Sequence, residues 1–232
     1  MIIDYTGHSG FLAETDGALL LFDCCRPVRD LIDRRDAGKP LFVFVSHAHA
    51  DHFDPGIFFL ADGSRPVHYL LSFDLRGSRA APESSGVRYL DADRIYEIDG
   101  LGTVETLLST DEGVAFLVKT PEATLFHAGD LHWWDWPGED PEWLAEQETV
   151  FKREIGRLAG TPIDAAFVVL DDRLEENYAK GLEYFLSVCR ARYVFPMHFW
   201  EDRSVADRFR ALPCAAGTNV MDTAGETRWE ID

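Results

Sequence analysis

At 232 residues the chain can bury one substantial hydrophobic core and shows no obvious seam for two, so a single domain over residues 1–232 is expected. Hydrophobic residues make up 46% and aromatics 12%, which excludes disorder as the main state. With 22 Lys and Arg against 41 Asp and Glu the net charge is −19, and so acidic a surface repels phosphate backbones, which sets nucleic acid aside in favour of a small-molecule substrate.

The first residues, Met1-Ile2-Ile3-Asp4, carry no basic leader ahead of a long apolar core, and no apolar run approaches the roughly 20 residues that span a bilayer. A cytoplasmic protein without a membrane segment is expected, and its oligomeric state is left open. Cys24, Cys25, Cys189 and Cys214 form no C-x-x-C pair and read as reduced thiols.

In chain order, short apolar runs at residues 2–5, 10–14 and 18–22, broken by Gly7 and Asp16-Gly17, predict a β-meander. Val28, Leu31 and Ile32 at helical spacing predict a helix over 27–37, opened by Pro27 and ended by Gly38. A buried strand follows at 41–45, then a short helix at 57–61 and a strand at 67–71. The stretch 76–85 is too polar and too rich in Gly, Pro and Ser to assign. Strands are predicted at 87–90, 95–98, 103–108, 114–119 and 124–127. Residues 131–142 form a loop crowded with Trp133, Trp134 and Trp136, which reads equally well as the wall of a site or as a satellite core. Helices at 142–158, 178–189 and 204–212 alternate with strands at 165–170 and 193–196, and the tail from 219 to 231 supplies one or two more. The reading is α/β, a four-layer αββα sandwich.

The chemistry concentrates directly after the strand at 41–45, where the chain reads Ser46-His47-Ala48-His49-Ala50-Asp51-His52. His47 and His49, two apart on an extended chain, leave it on the same side and can reach one ion at roughly 2.0–2.1 Å. Asp51 and His52 are adjacent and diverge; a turn at Ala50 lets them hold a second ion, at the separation of about 3.5–4 Å usual in two-metal hydrolases. A structural zinc site would favour cysteines, and none is near. Two later strand ends offer more ligands. Asp130, after Gly129, is a carboxylate whose two oxygens can bridge cations, and His198, after Pro196-Met197, is placed to complete the second ion. Arg173, after the strand at 165–170, can grip an anionic group or pair with Asp171, Asp172 or Glu175. His68 reads as structural.

His47-x-His49-x-Asp51-His52 after a hydrophobic strand resembles the H-x-H-x-D-H signature of the metallo-β-lactamase superfamily. Gly7-His8-Ser9-Gly10-Phe11, Gly129-Asp130 and Pro196-Met197-His198 resemble the branch that includes the ascorbate-phosphate lactonases and other metal-dependent hydrolases. The resemblance implies the metallo-β-lactamase fold, with metal ligands at His47, His49, Asp51, His52, Asp130 and His198. It also implies that Asp23 orients a ligand imidazole from behind, and that His8 lies near the substrate. Where that superfamily places a further histidine, this chain reads Leu108-Ser109-Thr110-Asp111, so Asp111 or Ser109 stands in, with His127 and His132 as alternatives. The cofactor expectation is one or two divalent ions, zinc first, with manganese or iron as alternatives.

These residues imply a hydrolase in which metals activate a water against an ester, lactone, amide or phosphoester, with Asp51 and Asp130 orienting it. Two rivals share the ligands: an iron-dependent redox enzyme of the same fold, separable by its absorption spectrum, and a non-catalytic metal-binding module, separable by saturating metal without turnover.

Overall fold

The computed structural model describes residues 1–81, 86–200 and 202–232. The N-terminal half contains β1 (Ile2–Gly7), β2 (Gly10–Glu14), β3 (Leu19–Phe22), α1 (Arg29–Asp33), β4 (Leu41–Val45), β5 (Val67–Ser72) and β6 (Val87–Leu90). The remainder contains β7 (Ile95–Ile98), β8 (Gly102–Leu108), β9 (Val114–Lys119), β10 (Thr124–His127), α2 (Pro141–Arg157), β11 (Pro162–Val169), α3 (Lys180–Val188), β12 (Arg190–Met197), α4 (Ser204–Arg210), β13 (Asn219–Val220) and β14 (Arg228–Glu230).

These strands form two mixed sheets, in the orders β14-β1-β2-β3-β4-β5-β6 and β13-β12-β11-β10-β9-β8-β7. In each, an antiparallel meander leads into a parallel half: β3 to β6 in the first sheet and β10 to β13 in the second. The sheets pack face to face with helices outside, the αββα arrangement. Side-chain alternation explains the layering. Phe42 and Phe44 of β4 enter the core between the sheets, while Leu41, Val43 and Val45 turn outward beneath Val28 and Ile32. Covered on both faces, β4 carries no polar residue, as a central parallel strand requires. In the second sheet Phe126 points outward and stacks on Phe185 of α3, with ring centroids 5.7 Å apart, while Phe167 points inward against Phe11 and Phe22.

α2 begins as its sequence dictates. Asp140 caps it by accepting from the amides of Glu142 and Trp143, and Pro141 occupies the first turn, where no amide is needed. The helix expected over 27–37 is cut to Arg29–Asp33. The Arg65 guanidinium donates to the carbonyls of Ile32 and Arg35 at 3.2 and 3.4 Å, and Arg35 is drawn into an ion pair with Asp4, so the chain leaves the helical path early. Residues 82–85 of the unassigned polar stretch lie outside the described residues. No helix among the described residues is long and apolar enough to cross a membrane.

The topology sends the ends of β1, β3, β4, β8, β10, β11 and β12 to one edge of the sandwich, since β1 and β3 flank β2 and β8 and β10 flank β9 in antiparallel pairing, while β4 runs parallel to β3 and β11 and β12 parallel to β10. Backbone bonds tie the two sheets there: Val114 N donates to Ser46 O at 2.9 Å and His198 N to His8 O at 3.2 Å. Gly113 makes the first of these approaches feasible. At φ 68° a side chain is already disfavoured, and a Cβ would lie 2.0 Å from Ser46 O. Gly113→Ala is expected to cost about 2 kcal/mol in chemical denaturation; an unchanged midpoint would show that the sheets do not depend on this contact.

Candidate metal centre

The strand ends bring every predicted ligand to this edge. Among the described residues, two groups have ligand atoms within 4.8 Å of one another: His47, His49, Asp111 and Asp130 in one, and His8, Asp51, His52 and His198 in the other. Asp130 faces both. Its Oδ1 is 3.1 Å from His52 Nε2 and 3.4 Å from His198 Nε2, while its Oδ2 is 3.7 Å from His47 Nε2. Asp51 Oδ2 is 3.9 Å from both His52 Nε2 and His198 Nε2.

The inner nitrogens of three imidazoles are tied to the scaffold. Buried Asp23 accepts from Ser46 N at 2.8 Å, from Ser46 Oγ at 2.6 Å and from His52 Nδ1 at 2.8 Å. Ser46 Oγ, its proton given to Asp23, accepts from His47 Nδ1 at 2.9 Å. Asp171 accepts from His198 Nδ1 at 3.0 Å. An ionised carboxylate can only accept, so Nδ1 of His52 and His198 keeps its proton and Nε2 faces the shared space, where loss of its own proton would free the lone pair that metal ligation requires.

The donor set fits divalent cations on a further observation. His8 Nε2, His52 Nε2 and Asp130 Oδ1 are buried, yet none has an aligned hydrogen-bond partner. Buried polar atoms left so are costly unless something else satisfies them. The electrostatics agree. Burial works against charge on His198, but Asp130 and Asp171 raise it to about 9. Burial likewise opposes charge on His52, and Asp130 and Asp23 carry it well above the usual imidazole value. Asp130 is held well below the carboxylate range, since His198 and His52 outweigh its burial. His47 is pushed down to about 4 by burial and by His52, leaving it neutral. Metal-free, the site is a knot of imidazolium and carboxylate that a cation would replace.

The two residues read as stand-ins for the absent histidine are placed differently. Asp111 joins the first group, its Oδ2 3.6 Å from His49 Nδ1, whereas Ser109 Oγ turns back to accept from Asp111 N at 3.2 Å. His127 is spoken for on both nitrogens: Nε2 donates to Ser9 O at 2.8 Å and Nδ1 accepts from Gly129 N at 3.1 Å, with the ring stacked on Phe22. His132 belongs to neither group. It is buried against Gly181 and the edge of Trp134, and burial lowers it to about 4, so it stays uncharged.

Of the two residues read as substrate contacts, His8 is placed with Asp51, His52 and His198. It sits in the turn between β1 and β2, against the rings of His198 and Trp200, with Nε2 3.1 Å from Asp51 Oδ2, and the imidazole beside it lowers the Asp51 carboxyl. It does not line the open cavity, because the bond from His198 N to His8 O draws that turn behind the ligands. Arg173 does line the cavity. Its Nε lies 2.9 Å from Asp171 Oδ1 and its Nη2 2.5 Å from Asp171 Oδ2, and the side chain remains 47% exposed. Asp171 is the residue sequence reasoning undervalued, treating it only as a partner for Arg173. Its signal was available, since it follows a buried strand as Asp23 does.

The cavity holds about 330 Å³ and opens over Asp51, Asp111, Asp130 and His198. The tryptophan loop is divided. Trp134 and Trp136 form a wall of this cavity, while Trp133 packs near Phe151 and Tyr184 with Lys152 over its face. Backbone in the left-handed region concentrates at the same edge, at His8, Asp23, His198 and Trp200, with φ of 51°, 41°, 68° and 43°. Such strain persists where the surroundings impose it, commonly at functional sites.

A family model described as a beta-lactamase superfamily domain matches residues 2–135. A protein from Pyrobaculum neutrophilum named UPF0173 metal-dependent hydrolase is 26% identical over 208 residues, covering 86% of this chain and 84% of that one. Another of the same name from Pyrobaculum arsenaticum is 29% identical over 140 residues, covering 56% of this chain; the match spans 61% of that protein's length. Among solved structures, Igni18, a novel metallo hydrolase from the hyperthermophilic archaeon Ignicoccus hospitalis, shares the fold, with a TM-score of 0.65 and 16% identity over 100% of this chain and 99% of that one.

Proposed function

Because the chain belongs to the metallo-β-lactamase superfamily, we propose that it is a metal-dependent hydrolase that directs an activated water at an ester, lactone, amide or phosphoester of a small molecule. The observation that carries this is the convergence of the His47, His52 and His198 Nε2 atoms on the two oxygens of Asp130. His47, His49, Asp111 and Asp130 would hold one cation; Asp51, His52, His198 and the shared Asp130 a second. Bound divalent cations would supply a water whose pKa is lowered towards about 7 and a charge that stabilises oxyanion character.

The chain's own residues do the rest. Asp23, Ser46 and Asp171 fix the ligand imidazoles, so donor geometry is set before substrate arrives. Asp51, its Oδ2 facing His52 and His198, orients the water and receives its proton; His8 keeps that carboxylate in place. Each group would offer two imidazoles and two carboxylates, a mixed nitrogen and oxygen set that suits zinc and is also compatible with manganese or iron. The relatives carry the hydrolase name without a substrate, so the finer likeness to ascorbate-phosphate lactonases rests on short motifs alone.

Metal analysis of protein purified without added metal or chelator, with hydrolysis of generic ester and phosphodiester substrates by the same preparation, tests the proposal. His49→Ala and Asp51→Ala should each lose metal and activity; retention of both would refute it. A second expectation concerns protons. His52 and His198 are raised above the usual imidazole value, so at pH 7 both are charged when metal-free and must release a proton to bind a cation. Loading should therefore release about two protons into a weakly buffered indicator solution, and affinity should rise with pH until about pH 9. Loading without acidification would mean that these imidazoles are not ligands.

A further inference from the structure

The cavity beside the candidate ligands is built from indoles to an unusual degree. Four of the chain's six tryptophans, Trp134, Trp136, Trp143 and Trp200, line it, although Trp143 and Trp200 lie 57 residues apart in sequence. The wall starts at the ligands themselves: the rings of Trp134 and Trp200 lie 5.8 and 5.9 Å from that of His198. It continues outward because Trp134 and Trp136 are parallel within 3°, at a centroid spacing of 5.8 Å. Trp200 is 49% exposed and sits on left-handed backbone at φ 43°. An indole that remains half in water on strained backbone contributes little to folding and is costly to keep, which is the profile of a binding surface.

One Lys or Arg side chain lines this wall, Arg173, and it is neutralised. Asp171 engages its Nε and Nη2, and the guanidinium carbon sits 5.4 Å from the Trp136 ring and 4.8 Å from that of Trp200, bracing the two indoles. Among the described residues the carboxylates that line the cavity are Asp51, Asp111 and Asp130, all on the side of the candidate ligands. A phosphate or carboxylate tail would find no unpaired cation on the tryptophan side, whereas a flat ring would find stacking faces.

From this we infer the substrate class, an inference that rests on the hydrolase reading of the same site: the molecule carries an uncharged planar ring, aromatic or heteroaromatic, on the group attached to the scissile bond. The reactive carbonyl or phosphoryl end lies at Asp51 and Asp130, and the ring lies along Trp134, Trp136 and Trp200.

The test is binding by titration calorimetry to metal-loaded protein of three acids matched in size: 2-naphthoate, its fully saturated counterpart decahydro-2-naphthoate, and naphthalene-2,6-dicarboxylate. The carboxylate common to all three would anchor at the ligand cluster, and the ring portion alone differs. The flat, singly charged 2-naphthoate should bind about tenfold tighter than either of the others, the scale expected of aromatic contacts. Trp136→Ala and Trp200→Gly, the latter chosen because glycine accepts the positive φ, should each reduce that preference to about threefold or less. Equal binding of the saturated acid, equal or tighter binding of the dicarboxylate, or a preference unchanged in both variants would overturn the inference. Hydrolysis of generic esters is measured on the same preparation. Activity without ring preference removes this inference and leaves the hydrolase reading, while ring preference without activity leaves a ring-binding wall and counts against the hydrolase reading and the substrate class together.

Discussion

Asp130→Ala should reduce hydrolysis by at least about three orders of magnitude and bring the bound metal to one ion per chain or fewer. Among the described residues no other side chain in the cluster faces both donor groups: Oδ1 is within 3.4 Å of His52 Nε2 and His198 Nε2, and Oδ2 approaches His47 Nε2 at 3.7 Å. Its removal leaves the two groups without a shared anion, so their cations would repel across the gap. In the metal-free state it also strands two imidazoles whose charge Asp130 sustains. Asp130→Asn keeps the shape and one accepting oxygen but not the charge, and should restore folding better than metal content. Parallel measurement of metal stoichiometry and turnover checks this. Full turnover in Asp130→Ala would place the chemistry elsewhere.

The largest effect on stability is expected at Asp23. Its carboxylate is fully buried and accepts from Ser46 N, Ser46 Oγ and His52 Nδ1, so Asp23→Ala leaves three donors unsatisfied in the interior and should cost about 3–5 kcal/mol. Backbone at φ 41° adds to the penalty for alanine. Asp23→Asn separates structure from electrostatics. Asparagine tolerates that conformation and its oxygen can still accept from Ser46, so much of the stability should return. Its amide, however, would donate to His52 Nδ1 and drive the proton onto Nε2, where it blocks the lone pair that faces Asp130. Metal affinity should therefore stay 10- to 100-fold below wild type even where folding is restored. Urea denaturation and competitive metal titration on both variants decide this, and wild-type affinity in Asp23→Asn would show that the tautomer is not set from Asp23.

Much of the frame is written locally. β4 is legible because burial on both faces leaves only Leu41-Phe42-Val43-Phe44-Val45, and the ligands that follow it are contiguous, so their spacing alone suggests coordination. Asp130 and His198 are legible as polar residues placed just past the ends of apolar strands, where a side chain can reach a shared edge. The helix read over 27–37 is shorter because its early end depends on Arg65, thirty or more residues away in sequence, capping Ile32 and Arg35. The tryptophan loop could not be divided from sequence, because Trp133 and Trp134 are neighbours that leave the chain in opposite directions, one towards α2 and α3 and the other towards His198.

What the sequence determined by itself is the inventory: two layers of strands, a His and Asp cluster at one strand exit, and single candidate ligands at others. What the tertiary structure alone decided is where each side chain lies relative to the others. Asp171 comes beside His198 because β11 and β12 pair in parallel with Val169 opposite Met197. Asp111, and not Ser109, faces the first donor group because Val114 N bonds to Ser46 O across the sheets, and His8 is drawn behind Asp51 because its carbonyl accepts from His198 N. The reason is physical. Strand periodicity and apolar pattern act over a few residues and leave a local trace, whereas the position of one strand end against another is set by register and sheet packing between residues 68 and 190 positions apart, as in the last two bonds.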